Sequence, residues 1–221
     1  MPASVPITVL ISGNGTNLQA LIDACASGSL PARIVRVISN RKAAYGLHRA
    51  SSAGIPTAYH NLVEYKRKHG EGSIDQAREA YDADLASLVL ADSPALVVCA
   101  GFMHILKPAF LEPLRAAGVP VINLHPALPG QFEGANAIER AHREWKAGKI
   151  GETGVMVHYV IEKVDAGEVI CSERIPFVEG GDDELEKLQE RFHEVEHGII
   201  VKGTRMAIER LQEKEAGGKQ P

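Results

Sequence analysis

Three cysteines in 221 residues are too few and too scattered to staple the chain. Cys25, Cys99 and Cys171 form no Cys-x-x-Cys pair. Neither a disulfide framework nor a structural zinc site is expected, and a reducing compartment, the cytoplasm, is the expected location. No apolar run approaches the roughly 18 residues that a bilayer span requires. The N-terminus also lacks a basic segment followed by a long apolar one, so neither membrane insertion nor export is expected. Positive charge is scarce as well. With 24 Lys and Arg against 28 Asp and Glu the net charge is -4, which argues against a broad nucleic-acid surface and leaves room only for a local pocket for one small anion. No internal repeat and no linker rich in Pro, Gly or Ser divides the chain. One domain over residues 1–212 is expected, with a disordered tail over 213–221.

What is present is an ordinary globular composition, 45% hydrophobic and 24% charged. Short apolar runs alternate with helical patterns in the first half, which predicts a doubly wound α/β fold with a mostly parallel sheet and a Rossmann-like N-terminal half. Strands are predicted at Ile7–Ser12, Ile34–Ser39, Leu96–Ala100 and Val119–Leu124. Helices are predicted at Asn17–Ala26, Tyr45–Ala53, Ile74–Ala91 and Ala109–Ala117. Beyond a Pro- and Gly-rich loop, Pro126 to Gly134, a helix is predicted at Ala137–Ala147. Two β runs follow at Val155–Ile161 and Glu168–Pro176, forming an antiparallel extension, and Asp183–Leu211 reads as helical. The charged stretch Tyr65 to Gly72 reads as a solvated loop.

Four features could carry chemistry. Asn123 and His125 leave the end of an apolar run two residues apart, and i and i+2 share a face in a strand. An amide and an imidazole aimed at one atom suit a carbonyl oxygen that becomes negative under attack; a strand-end Asn beside a structural His is the alternative. Ser12-Gly13-Asn14-Gly15-Thr16-Asn17 joins the first strand to the first helix, where a flexible backbone and helix N–H groups favour an anion such as phosphate. Leu18 stands at the third glycine position of the dinucleotide fingerprint, and no Gly-Lys-Ser/Thr follows, so neither NAD nor a P-loop nucleotide is expected. Asp165, in the turn Val164-Asp165-Ala166-Gly167, is a candidate to orient His125 and raise its pKa. His193-Glu194-Val195-Glu196-His197 matches the inverted zinc-peptidase pattern but lacks a recognisable third ligand. The same helical phase would let His193 and Glu196 reach a ligand instead.

Taken together, Val9 to Leu21, Ala100-Gly101-Phe102-Met103 with Ile105-Leu106, Ile122 to Pro126, Gly154 to Gly167 and Val195-Glu196-His197 resemble the folate-dependent formyltransferases that act on glycinamide ribonucleotide. The resemblance covers most of the chain. It implies transfer of the formyl group of 10-formyltetrahydrofolate, a co-substrate, to the primary amine of glycinamide ribonucleotide in de novo purine biosynthesis. Asn123, His125 and Asp165 would take the catalytic positions. Gly15, Thr16 and Asn17 would bind the phosphate with Arg78 and His193 as helpers, and Glu196 would hold the glycinamide or ribose end. Met103, His104, Ile105, Leu106 and the loop from Val160 would receive the folate. The half to about residue 125 would bind the nucleotide and the remainder would complete the folate site. No metal, nucleic acid or membrane partner is implied, and the assembly would be a monomer or a homodimer. His104 stands where many members carry Arg, the loop after His125 is shorter than the common bacterial form, and Asn136 replaces a frequent His. The alternatives are a formyltetrahydrofolate hydrolase and a non-catalytic α/β protein that binds a small ligand.

Overall fold

The first apolar run is buried along its length because it lies inside a parallel sheet covered on both faces. In the computed structural model, which describes residues 4–69 and 73–217, β1 (Val5–Ile11) pairs in parallel with β2 (Ala32–Ser39) on one side and with β4 (Leu96–Cys99) on the other. Val9, Leu10 and Ile11 have no exposed surface. A short edge strand, β3 (Thr57–Tyr59), adds to β2.

The chain divides into two compact units, Met1–Ile122 and Asn123–Pro221. In the first, the strand order is β3-β2-β1-β4, with the beginning of β5 (Val121–His125) following β4. Helices α1 (Thr16–Ala26), α2 (Tyr45–Ser52), α3 (Leu62–His69), α4 (Ile74–Leu90) and α5 (Pro108–Ala116) supply its connections. The order runs outward from β1 to β3 and then resumes on the other side of β1. The loops after β1 and β4 therefore flank a topological switch point, where open α/β sheets bind their ligands.

In the second unit the order is β5-β6-β7, with β6 (Glu152–Tyr159) and β7 (Val169–Pro176) antiparallel. The mostly parallel sheet with an antiparallel end matches the sequence expectation. Helices α6 (Ala137–Lys146) and α7 (Leu185–Gly217) complete this unit. On α7, Leu188, Phe192 and Ile199 are buried as their spacing predicts.

Two expectations are corrected. Residues 65–69 of the charged stretch are helical, within α3, and 70–72 lie outside the described residues. This helix buries no residue completely and so shows no apolar stripe. It is held through Tyr65, whose hydroxyl donates to Asp84 at 2.6 Å and whose ring meets that of Tyr81 edge-on at 5.6 Å. Second, α7 continues to Gly217, through residues expected to begin a disordered tail; residues 218–221 lie outside the described residues.

Gly203 sets how closely α7 approaches β6. A Cβ there would lie 2.7 Å from Cβ of Val157, a branched side chain on a strand that cannot swing aside. Gly198, on the exposed side of the same helix, has nothing within 4 Å of such an atom. Gly203→Ala should therefore destabilise by about 1–3 kcal/mol through overpacking. Gly198→Ala should stabilise by up to about 1 kcal/mol through helix propensity. Urea midpoints of the two variants read this directly, and shifts of the same sign would contradict the close approach.

Candidate active site

The extended backbone of β5 turns Asn123 and His125 to one face. Within the same unit, β6 contributes His158 and the β6–β7 connection contributes Asp165. The Asp165 carboxylate lies between two imidazoles, Oδ2 at 3.3 Å from His125 Nδ1 and Oδ1 at 3.4 Å from His158 Nε2. Asn123 Nδ2 is 3.3 Å from that same His158 Nε2. The Tyr159 carbonyl, 2.9 Å from His158 Nδ1, takes its N–H, which leaves Nε2 of the neutral ring to accept from the Asn123 amide. The two imidazoles are buried, His125 4% and His158 2% exposed, while Asn123 and Asp165 are half-buried.

The surrounding backbone is bent to make this fit. Gly167 lies so close to the Tyr159 carbonyl that no side chain fits there, and the β6–β7 register shifts at Val157/His158. Asp165 itself has φ 51°, a left-handed conformation that Asp tolerates better than most residues. Phe132 and Asn136, at φ 46° and 56°, are left-handed too. Strain of this kind persists only where the surroundings hold it. Here the Phe132 carbonyl is aimed at His125 Nε2, 3.1 Å away, and the Gly134 N–H donates to Asp165 Oδ2 at 2.8 Å. Arg140 ties this loop down by donating to the Phe132 carbonyl and, at 2.7 Å, to that of Glu133.

Electrostatics in the cluster are set by burial against pairing. Burial pushes the His125 imidazole down from its ordinary value; the Asp165 carboxylate and the Phe132 carbonyl pull upward without overcoming it. The expectation that Asp165 raises this pKa thus holds for its own contribution, and desolvation reverses the net direction. Burial acts upward on Asp165, but the adjoining His158 ring, the Gly134 N–H and the His125 imidazole together hold it below the usual carboxylate range.

In the first unit, Gly15 caps α1 at φ 76° with no side-chain cap and no acidic residue in the first turn, so the helix start remains receptive to an anion. Thr16 and Asn17 form that first turn. Gly15 also lets α2 approach, since a Cβ would lie 2.6 Å from Gly46 Cα. Arg49 brings a guanidinium to this loop, its Nε donating to the Asn14 carbonyl and its Nη2 to Asn14 Oδ1, each at 2.9 Å. After β4, Met103 and Ile105 are 71% and 56% exposed while Leu106 is buried. His104 turns inward, its Nε2 2.6 Å from Asp82 Oδ1.

The remaining candidates are more dispersed. Arg78 is exposed on α4, His193 is exposed on α7, and Val160 lies half-buried just past β6, while Glu196 on α7 is 7% exposed. Among the described residues no three His, Cys, Asp or Glu side chains converge as a metal-binding set. Sequence reasoning missed His158 and Arg49. The signal for His158 was a lone imidazole in the buried run Val155-Met156-Val157, a polar residue that an apolar strand carries only at a cost. Arg49 gave no such signal, because its partner Asn14 comes close only when α2 folds against the loop.

A sequence model of the formyl transferase family matches residues 5–204. The chain is 48% identical to the phosphoribosylglycinamide formyltransferase of Schizosaccharomyces pombe, over 91% of this chain and 96% of that protein. It is 44% identical to that of Saccharomyces cerevisiae, over 93% and 98%. Its structure is similar to glycinamide ribonucleotide transformylase 1 of Symbiobacterium toebii, with TM-score 0.78 and 34% identity over 93% of this chain and 88% of the other. It also resembles the phosphoribosylglycinamide formyltransferase of Coxiella burnetii, with TM-score 0.75 and 38% identity over 91% and 85%.

Because folding lowers the pKa of both His125 and Asp165, the unfolded chain binds their protons more readily, and stability rises with pH between the folded and unfolded values. The His125 contribution should be complete above pH about 6.5 and fade as pH falls below it; that of Asp165 should persist to below about 3.9 and then fade. Urea unfolding at pH 7.5 and 5.5 should show lower stability at the acid value. The drop should be smaller in His125→Gln, and an equal drop would assign the acid sensitivity elsewhere.

Proposed function

The chain belongs to the formyl transferase family, and we infer from that kinship that it transfers the formyl group of 10-formyltetrahydrofolate to the primary amine of glycinamide ribonucleotide, a step of de novo purine biosynthesis. The assignment of residues to the reaction rests on one observation: Asp165 lies against both His125 and the His158 ring that Asn123 reaches, within one unit and with both imidazoles buried. Such preorganised donors serve an oxygen that gains charge in the transition state.

The amine nitrogen attacks the formyl carbon, and the carbonyl electron pair moves onto oxygen. The free N–H of Asn123 and the His125 imidazole stabilise that oxygen, which takes the place of the Phe132 carbonyl at His125 Nε2. Asp165 orients His125 and balances the charge while the ring transiently holds the proton released by the amine. The intermediate then collapses, the carbon–N10 bond breaks, and the proton lost by the amine ends on N10, relayed through water held by Asp165. His158 acts behind these groups. By accepting from Asn123 and lying against Asp165 it fixes the directions of both.

In the first unit, Gly15, Thr16 and Asn17 hold the ribonucleotide phosphate at the start of α1, with Arg49 shaping the loop and Arg78 as a further cation. Met103, Ile105 and Leu106 seat the pterin. In the second, Glu196 holds the glycinamide or ribose end. Both substrates are charged metabolites, which fits a cytoplasmic enzyme. No helix of the described residues is long and apolar enough to cross a membrane.

Purified protein mixed with 10-formyltetrahydrofolate and glycinamide ribonucleotide should form tetrahydrofolate only when both are present. Release independent of the ribonucleotide would identify a hydrolase. Asn123→Ala should lower kcat about 10²–10³-fold, as loss of an oxyanion donor does, and His125→Ala about 10²–10⁴-fold, each with small changes in KM. His158→Asn should lower kcat about tenfold, and adding it to Asn123→Ala should cost little more, because the two act as one unit. Full additivity would separate His158 from Asn123.

A further inference from the structure

Asp82 is a carboxylate with no exposed surface that the transfer chemistry does not use. A buried carboxylate is costly unless its oxygens are paired, and both of these are committed to one loop. From α4, Oδ1 meets His104 Nε2 at 2.6 Å and Oδ2 accepts the Lys107 N–H at 2.7 Å. The His104 ring is set edge-on to Tyr81 at 4.8 Å and to Phe102 at 6.0 Å, so it has little freedom to turn outward. The near end of the loop is fixed independently. The Met103 N–H donates to Ser12 Oγ at 2.6 Å, and the Ser12 N–H donates to the Gly101 carbonyl at 2.9 Å.

With the loop held at both ends and His104 drawn inward, Met103 and Ile105 on either side of it are left standing in solvent, 71% and 56% exposed. Two large apolar side chains kept open to water forgo the stabilisation that burial would supply. They lie past the carboxyl end of β4, at the sheet's switch point. A flat, largely apolar ligand would recover that surface.

We propose that Asp82 is a positioning residue for the formyl donor: through His104 and the Lys107 N–H it fixes Met103 and Ile105 as an apolar ledge for the pterin ring. This rests on the transfer reading above. Asp82 itself touches no ligand. Its effect is to spare the folate the entropy of ordering the loop on binding, which is how preorganisation raises affinity. The signature of that role is a change in folate binding with the chemical step intact.

The test is steady-state kinetics on the full chain with 10-formyltetrahydrofolate and glycinamide ribonucleotide varied separately. Asp82→Ala should raise the folate KM about tenfold, with kcat within about twofold and the ribonucleotide KM unchanged, a pattern diagnostic of binding rather than chemistry. Asp82→Asn can still accept from Lys107 and donate to a neutral His104, and should return the folate KM to near the wild-type value. If Asp82→Ala does not fold, His104→Ala carries the same expectation. Met103→Ser and Ile105→Ser, at exposed positions, test the ledge directly. If these raise the folate KM and a folded Asp82→Ala does not, the role of Asp82 is overturned while the transfer reading stands. An equal fall in kcat with rises in both KM values would make Asp82 a general structural residue and also overturn it. Wild-type protein that transfers no formyl group removes the premise itself.

Discussion

The second unit is organised around one carboxylate shared by two imidazoles. Asp165 can be close to both His125 and His158 only if the β6–β7 connection folds back sharply, and the local features follow from that demand. Gly167 is compressed against Tyr159, the ladder slips at His158, and Asp165 takes a left-handed backbone. Each of these would be a defect in isolation. Together they bring a charge from a loop to the end of a strand and keep it there, with the Gly134 N–H as a third partner.

Burial gives the cluster its chemical character. An exposed imidazole would be partly protonated near neutrality whatever stood beside it. His125 is held toward the neutral form by lack of solvent, yet both its nitrogens face oxygens, and a ring with one N–H can satisfy only one of them. A second proton is therefore resisted by desolvation and welcomed by geometry. A group in that position responds when negative charge develops nearby, as it does on a carbonyl oxygen under attack. The first unit solves a different problem, since the parts proposed to face ligands are loops. The Gly15 loop is braced by Arg49 and the Met103 loop by Ser12 and Asp82, so flexible segments are fixed by side chains from the rigid elements beneath.

Fold alone would not identify the reaction, because doubly wound sheets serve many chemistries. Kinship supplies the reaction class, since the family match runs through nearly all of the described chain. The geometry supports the proposed division of labour among residues. It also suggests two supporting residues, His158 and Asp82, whose proposed importance comes from what they hold rather than from what they would touch.

Periodicity in the sequence was enough to place most strands and helices, because β1, β2, β4 and the helices between them bury continuous or regularly spaced apolar residues, and burial is a local property of pattern. Asn123 and His125 were legible for the same reason: two residues apart on a strand is a geometric relation the sequence states outright. The α3 helix was not legible, since one aromatic anchor leaves no period to detect, and neither was β3, whose three residues are an edge. What only tertiary structure decided is which distant groups share a proton or a charge. Asp165 with His158, Asp82 with His104 and Arg49 with Asn14 are pairings across chain separations that no local pattern encodes. The two buried carboxylate pairings arise because desolvated charge must find a partner, and in all three the partner is chosen by how the strands and helices come to rest.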